Sequence, residues 1–121
     1  MKARWILLAL FVLAGVAFSA EKAVIAKPAP APKPTLIFFM NPNGSPCQMQ
    51  DRILLQGKTE LDRAVVLRYV KTTVDEDREV FYQYGVRSLP NLILVDAQGK
   101  EIHRFAPGIQ ELEAIFLALK K

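Results

Sequence analysis

One cysteine and one histidine in 121 residues is a sparse supply of the side chains that perform redox and metal chemistry. A single sulfur, Cys47, excludes any disulfide closed within the chain, and its distance from the N-terminus excludes lipid attachment there. A long hydrophobic run is also missing. The longest, the fourteen residues from Trp5 to Phe18, falls short of the about 20 that span a bilayer. Charge of one sign is missing from most of the chain. The net +4 comes from Lys2, Arg4, Lys22, Lys27 and Lys33 set against Glu21, and from Thr35 onward eleven basic and eleven acidic residues cancel. A neutral domain behind a basic leader is no phosphate-binding surface, so nucleic acid is excluded as a partner. No internal repeat is present.

What is present begins with a leader. Lys2 and Arg4 precede the apolar run, which has the length of a secretory h-region, and Ala17 and Ser19 fit the −3 and −1 positions of a cleavage site. Residues 1–19 are therefore expected to be a signal peptide, or an uncleaved N-terminal anchor that is the chain's one contact with a membrane. The expected location is the periplasm or cell envelope. Residues 20–34 alternate proline with alanine and lysine, a composition that favours extended polyproline geometry and reads as a linker. Residues 35–121 form the expected domain, large enough to bury roughly 60–65% of its unfolded surface.

Within that domain the hydrophobic pattern alternates. Thr35–Met40 is a near-continuous apolar run, as for a strand buried on both faces. A helix is expected over Pro46–Gln56, stopped by Gly57, then a strand over Val65–Val70. Asp75 is expected to cap a helix that runs through Tyr84 and ends at Gly85. Leu92–Asp96 and Glu101–Phe105 flank Ala97-Gln98-Gly99-Lys100, a hairpin signal. Ile109, Leu112, Ile115, Phe116 and Leu119 recur at helical spacing. The first crossover implies a parallel strand pair and the late hairpin an antiparallel one, an α/β arrangement.

The densest chemistry lies in Asn41-Pro42-Asn43-Gly44-Ser45-Pro46-Cys47-Gln48-Met49. Ser45 is suited to N-cap a helix and Pro46 to occupy its first position. Cys47 then falls in the first turn, where unpaired N–H groups and the helix dipole favour a thiolate. The turn residues Asn41 to Gly44 also have a purely conformational reason to be there.

Pro46-Cys47-Gln48-Met49 after a Phe-rich strand resembles the second half of the thioredoxin active site, Cys-Gly-Pro-Cys-Lys-Met. The stretch from Tyr84 to Leu94, with Ser88-Leu89-Pro90-Asn91 at its centre, resembles the thioredoxin segment around the cis-proline, which falls on Pro90. Val95 to Lys100 matches the hairpin that follows. The resemblance covers about residues 35–120. It implies a thioredoxin-like fold, a four-stranded mixed sheet flanked by helices, with a cis Leu89–Pro90 bond and a peptide groove beside it.

The same alignment places the family's nucleophilic cysteine on Gly44 and its buried acid on Phe38. It implies thiol–disulfide exchange without a resolving pair, hence no dithiol reductase cycle. Three readings follow. Cys47 acts as a monothiol, the one catalytic candidate, forming mixed disulfides with protein thiols or a low-molecular-weight thiol, with Gly44, Ser45, Pro46, Leu89 and Pro90 binding the partner. Alternatively the domain is a non-catalytic binding module that uses the groove at Leu89 and Pro90, and Cys47 is structural. The third, metal binding by Cys47 with Met49, Met40 or His103, is disfavoured because Cys47 and Met49 point to different helix faces. Met49 is expected to pack inward with Ile53, and Asp51 to lie one turn beyond the sulfur. No metal or cofactor is expected.

Overall fold

A computed structural model describes residues 32–120. The expected signal peptide and nearly all of the linker lie outside the described residues. Thr35–Met40 forms β1, Ser45–Gln56 α1, Lys58–Ala64 α2 and Val66–Lys71 β2. A 3-10 turn at Asp75–Asp77 leads into α3, Arg78–Tyr84, followed by β3, Asn91–Val95, β4, Glu101–Arg104, and α4, Leu112–Leu119. The sheet order is β2-β1-β3-β4, with β1 parallel to β2 and antiparallel to β3, and β3 antiparallel to β4.

The two central strands explain the apolar runs. Leu36 to Met40 and Asn91 to Val95 are all buried, because helices cover both faces of the sheet. Alternation divides them. Leu36, Phe38, Met40, Leu92 and Leu94 pack with Leu54 of α1, Leu61 of α2 and Ile115 of α4. Ile37, Phe39, Ile93 and Val95 pack on the opposite face, against Val80, Phe81 and Tyr84 of α3. Phe38 and Phe39 are wholly buried, each contributing about 2–3 kcal/mol of apolar transfer. Phe39 meets the Phe81 ring edge-on at 5.3 Å, and Phe38 lies 5.4 Å from the Tyr69 ring.

Several boundaries differ from expectation. Gly57 does end α1, but the chain enters α2 at once, and the Gly57 position lacks room for a side chain: a Cβ there would lie 2.6 Å from Leu112 Cδ2. Asp75 does not cap α3. It opens the 3-10 turn, and Asp77 instead accepts the Lys71 N–H at 2.9 Å. The last helix starts at Leu112 rather than Ile109, after the chain has turned through Gly108 at φ 109°. Met49 is 44% exposed, not packed inward, because the core-facing stripe of α1 is Cys47, Gln50 and Leu54. Gly85 ends α3 in the left-handed region at φ 62°, and Gly99 turns the hairpin at φ 83°. Among the described residues no helix is long and apolar enough to cross a membrane.

Candidate functional site

Where β1 ends, the chain folds back on its own polar groups. Gly44 N–H donates to Asn41 O at 2.9 Å, and Asn43 N–H to the Asn41 side-chain oxygen at 3.0 Å. Gln48 N–H reaches Gly44 O at 3.0 Å, the first helical bond, so Gly44 and not Ser45 is the N-cap residue. Ser45 opens α1 without a side-chain capping bond, and Pro46 takes the second helical position. Its missing N–H is no loss there, since the first four N–H groups have no helical partner. The Gln48 side chain donates to Pro42 O at 3.0 Å and fastens the turn to the helix.

Cys47 is thereby the third helical residue, and it points inward. It is 3% exposed, within the cluster of Phe38, Met40, Leu92 and Phe105, and its Sγ accepts the Asn41 N–H at 3.3 Å. Phe38 shares the cluster, so the place where the resemblance puts an acid is dry and apolar. A Cβ built on Gly44 would lie 3.8 Å from Cys47 Sγ and 3.4 Å from Asn41 O, ordinary contacts. Asp51 is engaged by the Tyr69 hydroxyl, which donates to it at 2.5 Å. Burial first, and then the Asp51 carboxylate, push the Tyr69 hydroxyl well above its ordinary range.

The second segment arrives from α3. The Leu89–Pro90 bond is cis, Pro90 is buried, and Leu89 is half-buried against both core clusters, including the one that holds Cys47. Leu89 and Cys47 are thus brought to one end of the sheet, with Ser45 and Pro46 exposed beside them. Among the described residues the Leu89 N–H and C=O have no hydrogen-bond partner. Pro90 O accepts the Gly108 N–H at 3.0 Å. Asn91 is 4% exposed, and its Oδ1 has no partner among the described residues.

Sequence reasoning missed a third segment. Gln50, wholly buried, donates to Gln110 O at 3.0 Å and accepts the Gln110 N–H at 2.6 Å. This two-point bond holds the loop before α4 against α1, while Gly108 holds the same loop against Pro90. The available signal was a glutamine on the core stripe of α1, three residues after Cys47. Met40, Met49 and His103 are not brought to Cys47 as a ligand set: Met49 is exposed and His103 stacks edge-on against Phe105 at 4.7 Å. Among the described residues no three His, Cys, Asp or Glu gather to hold a metal.

Known proteins are similar to this chain in sequence and in fold. The family model of the thioredoxin-like domain matches residues 21–121. A thioredoxin-like protein of Synechocystis sp. is 34% identical over 90 residues, 74% of this chain and 82% of that one. A solved thioredoxin-like protein from Clostridium perfringens superposes with a TM-score of 0.65 at 18% identity, over 76% of this chain and 72% of its own. A thioredoxin from Thermus thermophilus gives 0.59 at 17%, over 73% and 72%. By the family match over most of its length and the 34% identical relative, the chain belongs to the thioredoxin-like family.

Proposed function

We propose that this protein is an exported thioredoxin-fold module that docks extended polypeptide segments at Leu89–Pro90, with Cys47 in a structural role. The fold connects the chain to thiol redox biology and to protein thiol partners in general terms. What supports the binding reading is the contrast at the site itself. The sulfur is buried and already hydrogen-bonded, whereas the main-chain groups of Leu89, unpaired among the described residues, can pair with an incoming strand. Gly44, Ser45 and Pro46 supply the opposite wall. Gly44 carries no side chain there, which leaves the approach to the wall open.

A second reading is favoured by one observation. The Asn41 N–H is aimed at Sγ, and the space beside Gly44 admits an atom about 3.8 Å from the sulfur. In that reading Cys47 attacks a partner disulfide, one partner sulfur bonds to Sγ, and the other leaves as a thiolate. Cys47→Ser and Leu89→Glu separate the two. Partners trapped from the native compartment after acid quenching are resolved on non-reducing gels and by native affinity capture. The docking reading expects capture to survive Cys47→Ser and to be lost in Leu89→Glu. Reductant-sensitive adducts that vanish in Cys47→Ser overturn it in favour of the monothiol.

A further inference from the structure

The opposite edge of the sheet carries a surface that the groove at Leu89–Pro90 does not use. Val66 N–H bonds to Pro34 O and Thr72 N–H to Met40 O, so the even-numbered residues of β2 turn their main-chain groups toward β1. Alternation turns those of Leu67, Tyr69 and Lys71 outward. The edge is closed at both ends. Val65 N–H is taken by Leu61 O, Lys71 N–H by the Asp77 carboxylate, and Lys71 O by Val74 N–H. Between these closures, among the described residues, the N–H and C=O groups of Leu67 and Tyr69 have no partner. That leaves a short open window of strand in place of a full edge.

Beside the window run two clefts that share Tyr69 as a wall. One, about 360 Å³, is bordered by Lys33, Lys58, Asp62 and Leu55; the other, about 300 Å³, by Pro42, Asp51, Arg52 and Lys71. Four cations face two carboxylates, and the carboxylates are engaged. Asp62 pairs with Lys58 at 2.6 Å, and Asp51 accepts the Tyr69 hydroxyl. Arg52 and Lys71 have no carboxylate partner among the described residues. Arg68 is exposed on the other face of the same strand.

We infer that β2 is a second docking edge, which takes an extended acidic polypeptide segment as an added strand. The four main-chain groups of Leu67 and Tyr69 that have no partner among the described residues pair with the segment's backbone. Acidic side chains two residues apart, roughly 7 Å, enter the two clefts on either side of Tyr69. The closures at Val65 and Lys71 limit the added strand to a few residues and fix its position.

The test uses the full chain and the peptide acetyl-Glu-Val-Glu-Val-Glu-amide. Amide exchange followed by NMR is expected to slow at least about tenfold at Leu67 and Tyr69 when the peptide is bound. The same peptide N-methylated at alternate residues, or with lysine for glutamate, is expected to bind at least about tenfold more weakly. Arg52→Glu with Lys71→Glu should weaken the acidic peptide similarly, with the native fold confirmed by the unchanged spectrum of β1 and β3. Equal binding by the N-methylated peptide, protection confined to Leu89–Asn91, or no protection at millimolar peptide would each overturn the inference. Protection of Leu67 and Tyr69 without peptide, in a protein of dimeric mass, would overturn it by assigning the edge to a second copy.

Discussion

The turn at Asn41–Cys47 and the segment at Ser88–Asn91 close the same end of the sheet, and they treat their polar groups in opposite ways. The turn consumes its own. Asn41, Asn43, Gly44 and Gln48 bond to one another, and even the thiol is enlisted as an acceptor. Among the described residues, the second segment leaves the Leu89 main chain unpaired and an Asn91 oxygen without a partner. A side-chain reagent can therefore be lost while the docking geometry persists, because the two depend on different atoms. The dithiol cycle that the resemblance implies needs two sulfurs and an acid; the proposed docking needs only a backbone held in place.

That contrast can be broken most severely at Phe38. Phe38→Asp restores the acid of the family pattern but buries an unpaired carboxyl among Cys47, Met40 and Leu92. We expect a loss of about 4 kcal/mol or more by urea unfolding, enough to unfold a marginal domain. Next comes Gln50→Leu, which leaves the Gln110 N–H and C=O without partners. About 2–3 kcal/mol should be lost, with faster amide exchange across residues 106–111.

Tyr69→Phe should cost less, about 1 kcal/mol at neutral pH, by removing the hydroxyl from Asp51. Its pH signature is distinctive. Folding raises the Tyr69 hydroxyl above its unfolded value near 10, so the associated stability is complete below pH 10 and falls as pH climbs beyond it. Stability curves of the native protein and Tyr69→Phe should therefore converge in strong alkali. A smaller loss in the native protein than in the variant above pH 10 would contradict this. The smallest change in stability, within about 1 kcal/mol, is expected for Gly44→Cys, since φ −89° and ψ 131° suit any residue. Thiol titration of this variant after mild oxidation should find no free thiol, the introduced sulfur reaching Cys47 Sγ by side-chain rotation.

The strands of the core were legible because burial on both faces leaves an unbroken apolar run, as in Leu36 to Met40. The hairpin was legible from Gly99, and the end of α3 from Gly85. Helix α2 was not. Lys58-Thr59-Glu60-Leu61-Asp62-Arg63-Ala64 buries only Leu61, so it carries no amphipathic period to read. Ser45 was a reasonable N-cap by residue type, yet the cap is decided by which carbonyl accepts the first helical bond, and Gly44 O does so. Cys47 and Leu89 could be placed from local pattern and resemblance. The depth of the sulfur could not, since it depends on Phe105 and Leu92, distant in sequence. The Gln50–Gln110 bond escaped for the same reason, because nothing near Gln50 announces a partner 60 residues away.

That bond also bears on the order of events in folding. Its two residues stand 60 positions apart in the chain, with β3, β4 and the turn through Gly108 between them. We expect a contact of such long sequence separation to form late, on the native side of the folding barrier. Its loss should consequently appear in the unfolding limb of a chevron, with the refolding rate nearly unchanged. With that outcome Gln50 is a brake on unfolding, one that sets how long the assembled face persists once made.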